Sequence, residues 1–397
     1  MQVLKHKYRL YPNKEQETKL YQFCGSQRYI WNHFLAKEQT QYSTDKTFRF
    51  FNQNCKDLTE LKKTTEWLQE IPATSLQQTL RYLNRALTQS FPKNKNSSRK
   101  GFPKFKKRKN FNGSFSLTMV NSKKSLKNGK FYVNLHTGID VVLHRALPSD
   151  FASCQVKQEA NKWFVIFTCK KDKEITKPIK KTTGIDLNSK SFVTIDSVFP
   201  IPKYLNENQV RIRELQRQLS RKTFGSKNKM QCQLKLQKIH YRIRQKRSDF
   251  FHKLSKALVD SYDLITIEDL DVKSIQHKFG KVIADNGFSM FRAFLTYKCE
   301  LYGKTIVVAD RYFPSSQKCS LCGSITKHRL DQRTYTCNHC GFEIDRDLNA
   351  AINLNHLGQE LADFKPVDPN ALNIDSVMAV LMGIDQKQEA IDSSGQW

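Results

Sequence analysis

Two C-x-x-C pairs, Cys319-x-x-Cys322 and Cys337-x-x-Cys340, are separated by fourteen residues. Each is followed by a glycine, Gly323 or Gly341, which permits the tight turn that presents both thiolates of a pair. Four thiolates at this spacing suit tetrahedral zinc, so this stretch should fold around a metal ion and not around an apolar core. A closed four-sulfur shell leaves no open position for water, which makes the expected ion structural. His328 and His339 lie nearby but are not needed as ligands. The other six cysteines are scattered singly, as reduced core residues are, and do not suggest a disulfide framework.

Directly after Cys340 the chain reads GFEIDRDLNAAINLNHLG. Asp345 and Asp347 open an expected helix that Gly358 should end, and a helix N-terminus favours an anion. Two further acids sit in apolar strand patterns, Asp186 in TGIDL and Glu268 in LITIE. A carboxylate in a buried strand is costly unless something compensates, and a divalent cation would. If those strands are neighbours in one sheet, the carboxylates converge. With the acid at the helix start they would form a hard-oxygen site for Mg²⁺ or Mn²⁺. Two such ions, roughly 4 Å apart, would activate a water and stabilise the leaving oxygen in phosphodiester cleavage. Spacing alone leaves Asp345 as an alternative to Asp347, or as a partner of Arg346. It also leaves Asp186 as a turn cap, and Glu268 and Asp269 as surface residues at a strand end.

The charge balance points to a polyanion. The chain has 67 Lys+Arg against 37 Asp+Glu, a net +30 over 397 residues, enough to repel itself without an acidic partner. No apolar run approaches the ~18–20 residues of a spanning helix, and no signal-peptide core is present at the N-terminus, so no membrane role and a cytoplasmic location are expected. Two basic regions stand out. Residues 93–109 hold nine Lys/Arg and no acid, among them Lys104, Lys106, Lys107 and Arg108, with Phe102 and Phe105 interleaved. Cations bind phosphate, and aromatic faces stack bases or anchor the loop. The second is a helical pair over about 206–222 and up to 259, broken at Gly225-Ser226. Between Arg211 and Lys253 it has fourteen Lys/Arg against Glu214 and Asp249. An apolar stripe of Ile239, Ile243, Phe250, Leu254 and Leu258 packs it. Its basic faces, including Arg211, Arg217, Arg242 and Arg244, read as a groove wall for phosphates.

The remaining elements follow from pattern. HKYRLY alternates as a strand that Pro12 ends. Helices follow to about residue 90, with Leu76, Leu80, Leu83 and Leu87 on one face after Ser75 or Thr74 as N-cap. Short strands over 115–180 suggest a small barrel, and Asn128-Gly129 signals a hairpin. TGIDLN, SFVTID, LITIE and KTIVVA read as strands of a second domain. Residues 361–397 carry six acids and two lysines, an acidic flexible tail.

TGIDLN, TIEDLDVKSI, FRAFLTYKCELYGKTIVVADRYFPSSQKCSLCG and YTCNHCGFEIDRDLNAAINL resemble the TnpB family. These are the transposon-encoded relatives of miniature type V CRISPR nucleases. YRLYPNKEQE, GSQRYIWNHFLA, SLQQTLRYLNRA and GFPKFKKRK extend the resemblance through the N-terminal half, from about Lys5 to Leu357. It implies a multidomain α+β fold. A RuvC-type, RNase H-like α/β nuclease domain (181–318 and 342–360) would hold an inserted zinc ribbon (319–341). A wedge β-barrel (1–12 and 100–180) would carry an inserted helical recognition lobe (13–99), and the tail from 361 falls outside. The implied activity is RNA-guided, Mg²⁺-dependent cleavage of double-stranded DNA, in a prokaryotic cytoplasm, by one protein chain with one guide RNA. That RNA would derive from the transposon end, and a short flanking DNA motif would license binding. The family's catalytic acids fall on Asp186, Glu268 and Asp347, and a motif-reading position falls on Gln77. The family's first motif commonly continues G-I-D-L-G, where this chain has Asn188. Alternatives are a nuclease-inactive, RNA-guided regulator, against which the three acids argue, and a strand-joining transposase.

Overall fold

Strand β1 (Gln2–Tyr11) alternates along its length and drives Tyr8 and Leu10 into a core. Asn13 then starts α1 (Lys14–Asp45). Its side chain accepts from Gln16 N at 2.8 Å, and Gln16 Oε1 accepts from Asn13 N at 3.0 Å, a reciprocal capping box. α2 (Phe50–Thr64), α3 (Glu66–Gln69) and α4 (Ala73–Ser90) complete a helical layer. Leu76, Leu80, Leu83 and Leu87 are all buried, as their spacing predicts. Neither Ser75 nor Thr74 caps α4, because the helix begins earlier, behind Pro72. Ser75 is instead buried and accepts a hydrogen bond from Gln27 of α1 at 3.2 Å.

The structure, a computed structural model, describes residues 1–91, 101–107, 113–118, 120–133, 138–176, 178–188, 190–270, 286–329 and 332–362. They divide into two compact units, Met1–Lys171 and Asp172–Trp397. In the first unit the chain continues through β2 (Ser114–Thr118), α5 (Ser122–Ser125), β3 (Leu126–Lys127), β4 (Lys130–Phe131), β5 (Ile139–Val142), β6 (Phe151–Glu159) and β7 (Lys162–Lys171). With β1 these strands form a half-barrel sheet, order β2-β6-β7-β1-β5-β4-β3, antiparallel at every pairing. Asn128 (φ 51°) and Gly129 (φ 70°) both take the left-handed conformation that a two-residue hairpin loop demands.

The second unit is built on a five-stranded sheet. Its strands are β8 (Thr182–Leu187), β9 (Ser191–Val193), β10 (Val198–Pro200), β11 (Leu264–Glu268) and β12 (Thr305–Ala309), in the order β10-β9-β8-β11-β12. β8, β11 and β12 run parallel, whereas β9 and β10 are antiparallel additions. Between β10 and β11 lie α6 (Tyr204–Glu207), α7 (Gln209–Arg221) and α8 (Lys227–Ser261), and α9 (Phe288–Leu301) precedes β12. Beyond β12, the short ribbon of β13 (Thr334–Thr336) and β14 (Glu343–Asp345) leads into α10 (Arg346–Leu361).

The period of two in TTGIDL and LITIE sorts the residues by face. Ile185, Leu187, Ile265 and Ile267 pack in one apolar cluster with Phe251, Leu254 and Leu258 of α8 and Phe291 and Leu295 of α9. Phe251, not Phe250, is the buried phenylalanine of the α8 stripe, alongside Leu254 and Leu258. On the opposite face, Gly184 and Thr266 receive α10. Gly358 does not end that helix. It lies inside it and is buried against Thr266 Oγ1 and Leu264, where any side chain would collide. α7 and α8 meet through a small core of Ile212, Leu215, Cys232, Ile239 and Ile243, and the break between them is at Gly225 (φ 81°), with Ser226 capping α8. No helix among the described residues is long and apolar enough to cross a membrane.

Candidate functional site

Strand register places the first two acids side by side. β8 and β11 pair in parallel with Ile185 opposite Ile267, so the next residues along, Asp186 and Glu268, share a level and a face. That face is the one against α10. Gly358 meets Thr266, while Ala351, Leu354 and Asn355 close over Gly184. One turn towards the N-terminus from Ala351 stands Asp347, which brings its carboxylate to Asp186. The positions 347, 351, 354 and 358 are one stripe of an α-helix.

Burial raises the pKa of Asp186 well above the ordinary carboxylate value, and the neighbouring charges of Glu268 and Asp347 raise it further, against lowering contributions from Arg346 and a hydrogen bond with Asn188. Burial also raises Glu268, against a hydrogen bond from Ser315 Oγ to its Oε1 at 2.6 Å. Asp347 accepts from Asn188 Nδ2 at 2.8 Å and pairs with Arg333 at 3.5 Å and Arg346 at 3.7 Å. Asp345 has a different job. Its Oδ1 caps α10, accepting from Asp347 N at 2.9 Å and Leu348 N at 3.0 Å. Asp269 points into an ion-pair network with Arg292 and Arg311. Three carboxylates, two of them disfavoured as isolated anions by burial, form a donor set of the kind a hard divalent cation takes.

The cysteines make a tighter group. The Sγ atoms of Cys319, Cys322, Cys337 and Cys340 lie within 4.8 Å of one another, the only set of three or more such ligand atoms this close among the described residues. Cys319–Cys340 is 3.8 Å and Cys322–Cys337 is 3.6 Å. A tetrahedron with Zn–S arms of about 2.3 Å has edges of about 3.8 Å, so the cage fits zinc. Hydrogen bonds with the Ser324 hydroxyl lead in lowering Cys337 to about 5 and Cys322 to about 7. Cys340, against a lowering hydrogen bond from the Phe342 backbone, is pushed up to about 12 by burial and by sharing protons with the other three sulfurs. Gly323 (φ 77°) and Gly341 (φ 72°) take the left-handed turns their positions predict.

One helix ties the two groups together. Asn349 of α10 donates to Lys318 O at 2.8 Å and accepts from Ser320 N at 3.0 Å. Asn353 donates to Ser315 O at 2.8 Å and Lys318 O at 2.6 Å. These amides hold the loop that carries both Cys319 and Ser315, the residue on Glu268. Sequence reasoning did not single out Ser315, Asn349 or Asn353. Nothing in their local pattern marks them, because their partners are distant in the chain.

The basic residues are placed as follows. Arg211, Arg217, Arg242 and Arg244 are all exposed on α7 and α8. Lys104 and Lys107 are exposed, while Lys106 lies 3.8 Å from the Trp31 ring centre, with its amine lowered by burial to about 8. Arg108 lies outside the described residues, as do most of the 93–109 loop and the tail beyond 362. Gln77 lines a cavity of about 480 Å³ with Lys62, Lys63 and Gln69.

A two-unit α+β protein with a four-cysteine ribbon beside a carboxylate cluster is the class these features define. Family models match three segments: a "Helix-turn-helix domain" of OrfB proteins over residues 1–47, the OrfB "Probable transposase" over 156–277, and the "Cas12f1-like, TNB domain" over 288–354. A Streptomyces pristinaespiralis protein named "Putative RNA-guided DNA endonuclease" is 34% identical over 362 residues, covering 88% of this chain and 87% of the relative. The Escherichia coli K12 protein "Putative RNA-guided DNA endonuclease InsQ" is 28% identical over 375 residues, covering 88% and 90%. The mimivirus "TnpB-like protein L79" is 30% identical over 197 residues, covering 45% and 38%. Among solved structures, "CasPhi-2 (Cas12j) bound to crRNA" superposes with a TM-score of 0.44 at 10% identity, over 90% of this chain and 98% of that one, a similarity too low to define the fold. The chain belongs to the TnpB family.

Proposed function

We infer that the protein is an RNA-guided DNA endonuclease. The observation that carries this reading is the convergence of Asp186, Glu268 and Asp347 from two adjacent parallel strands and the start of α10. The names of its full-length relatives support the same class. In this reading the second unit is a RuvC-type, RNase H-like nuclease domain interrupted by a zinc ribbon, and the half-barrel sheet with its helices is a wedge and recognition lobe. Asp186, Glu268 and Asp347 would hold Mg²⁺ or Mn²⁺, and Cys319, Cys322, Cys337 and Cys340 would hold zinc. Bound divalent ions supply an activated water and neutralise the leaving oxygen. The chain supplies position: Ser315 fixes Glu268, Asp345 fixes the start of α10, and the buried face of β8 fixes Asp186.

The basic surface then serves a guide RNA and its DNA target, where base pairing reads sequence and the protein reads backbone shape and a short flanking motif. Arg211, Arg217, Arg242 and Arg244 contact phosphates, with Lys104, Lys106, Lys107 and Arg108 on the loop, and Gln77 takes part in motif reading. One protein chain acts with one RNA. The test uses protein purified with its co-expressed transposon-end RNA. It is expected to cut a matched duplex in Mg²⁺, to stop in EDTA, and to lose cutting in Asp186→Ala and Glu268→Ala. Cutting by either variant at the parental rate refutes the assigned site, and end-joined transposon products in place of guide-directed breaks refute the nuclease reading.

A further inference from the structure

Asn188 follows β8 directly and lies between two of the acids. Its Oδ1 accepts from Lys190 N and Ser191 N, both at 2.8 Å, and from Ser191 Oγ at 3.3 Å. Two backbone N–H donors on one oxygen fix which end of the amide is which, because a flipped amide would set its NH₂ against them. The Nδ2 end must therefore face the other way, and it donates to Asp347 Oδ2 at 2.8 Å. These partners lie 159 residues apart in the chain. The arrangement joins the strand bearing Asp186 to the helix bearing Asp347 through a neutral donor. A neutral donor orients a carboxylate without competing for the site as a cation would, whereas Arg333 and Arg346, at 3.5 and 3.7 Å, bring positive charge to the same group.

We propose that Asn188 is a positioning residue for the cleavage reaction, its amide holding the Asp347 carboxylate in line with Asp186 for divalent-ion binding. This rests on the nuclease reading above. The chemistry separates two roles of one side chain. The Oδ1 end builds the local turn, and an aspartate preserves it. The Nδ2 end orients Asp347, and an aspartate replaces that donor with an oxygen of a fourth carboxylate.

The experiment compares Asn188→Asp, Asn188→Ala and Asp186→Ala with the parent, each as the RNA-bound protein. Guide-directed cutting is measured at saturating Mg²⁺, and Mn²⁺ binding is measured by electron paramagnetic resonance in the absence of target DNA. Asn188→Asp is expected to cut slower by roughly tenfold or more, yet to bind Mn²⁺ tighter by about threefold or more because it adds a negative charge. Asn188→Ala is expected to cut slower and to bind Mn²⁺ more weakly. If Asn188→Ala does not fold, Asn188→Asp, which keeps the turn, decides alone. Parental cutting by Asn188→Asp overturns the proposal, since the turn would then suffice, and so does Mn²⁺ affinity unchanged from the parent. Parental cutting by Asp186→Ala refutes the assigned carboxylate site on which this proposal rests, and end-joined products from the parent refute the nuclease reading itself, both distinct from either result at Asn188.

Discussion

Gly184→Ala tests the packing on which the acid cluster depends. A Cβ at this position would sit 2.5 Å from Asn355 N and 2.7 Å from Leu354 Cβ, and closer still to Ala351 O. Two of those atoms are helix backbone, which cannot rotate away as a side-chain end can. Relieving the overlap to an ordinary contact of about 3.5 Å moves α10 off β8 by about 1 Å. Overpacking of this kind costs about 1–3 kcal/mol, or a melting temperature lower by roughly 2–12 °C for a unit of this size. The same displacement lifts Asp347 from Asp186, and a misplacement of about 1 Å costs on the order of a hundredfold in rate.

Gly225→Ala supplies the control. Gly225, unlike Gly184, has a left-handed backbone (φ 81°) that strains any other residue, but nothing lies within 4 Å of its Cβ position and it is at the α7–α8 turn. It should lose about 1 kcal/mol and keep its cutting rate. Gly358→Ala should be milder than Gly184→Ala, because its nearest obstacle is a side-chain hydroxyl, Thr266 Oγ1. Adding Thr266→Ala removes that hydroxyl, which has no hydrogen-bond partner among the described residues. It should recover part of the loss, since Leu264 Cδ2 at 3.0 Å remains. Guide-directed cleavage rates and calorimetric melting are the assays. Gly184→Ala cutting within about threefold of the parent, at an unchanged melting temperature, would refute the claim that this contact sets the position of Asp347.

Cys337→Ser should drop zinc below one ion per chain by elemental analysis and slow cutting roughly tenfold, because the ribbon and the Glu268-bearing loop share the Asn349 and Asn353 clamps. Normal zinc content in that variant would count against four-thiolate binding. Ser315→Ala removes the donor at 2.6 Å from Glu268 and should slow cutting with little change in melting; an unchanged rate would show that Glu268 is held by other means. Asp345→Ala should cost about 1 kcal/mol of stability through loss of the cap, whereas Asp345→Asn should be close to neutral in the same melts. The pKa of Asp186 is raised in the folded chain, so the native state binds more protons than the unfolded one above the unfolded value of about 3.9. Stability of the chelator-treated protein should therefore fall as pH rises through the folded value. The advantage of Asp186→Asn over the parent should grow across the same range in denaturant melts, and a gap constant from pH 4 to 8 would contradict it.

Much of the second unit was legible because its strands are short and their two faces differ in kind. TTGIDL puts Ile185 and Leu187 on one side and Gly184 and Asp186 on the other, and no helix reading places an acid there comfortably. The ribbon was legible from ligand spacing alone. Misreadings arose where local rules met a tertiary contact. Gly358 reads as a helix stop, since glycine costs a helix about 1 kcal/mol, yet α10 runs through it because only glycine lets the helix lie on Thr266. Ser75 reads as an N-cap, but its hydroxyl is drawn into the α1–α4 contact. Ser315 was missed because it meets Glu268 across 47 residues of chain and no periodicity reports such a pairing.

The two glycines bring the helix that bears Asp347 close to the strands that bear Asp186 and Glu268. A helix resting on a sheet through ordinary side chains stands off by the thickness of those side chains, about 10 Å between layers, too far for Asp347, a short residue at the helix's first turn, to reach a carboxylate on the strand below. Removing Cβ once from the strand, at Gly184, and once from the helix, at Gly358, lets α10 lie close on β8 and β11 between Ala351 and Gly358. The cost is paid in backbone entropy and repaid in close packing, and it falls on positions that carry no chemistry. Asp186, Glu268 and Asp347 then need no unusual backbone of their own. They require only the level shared by two parallel strands and a helix seated low enough to join them.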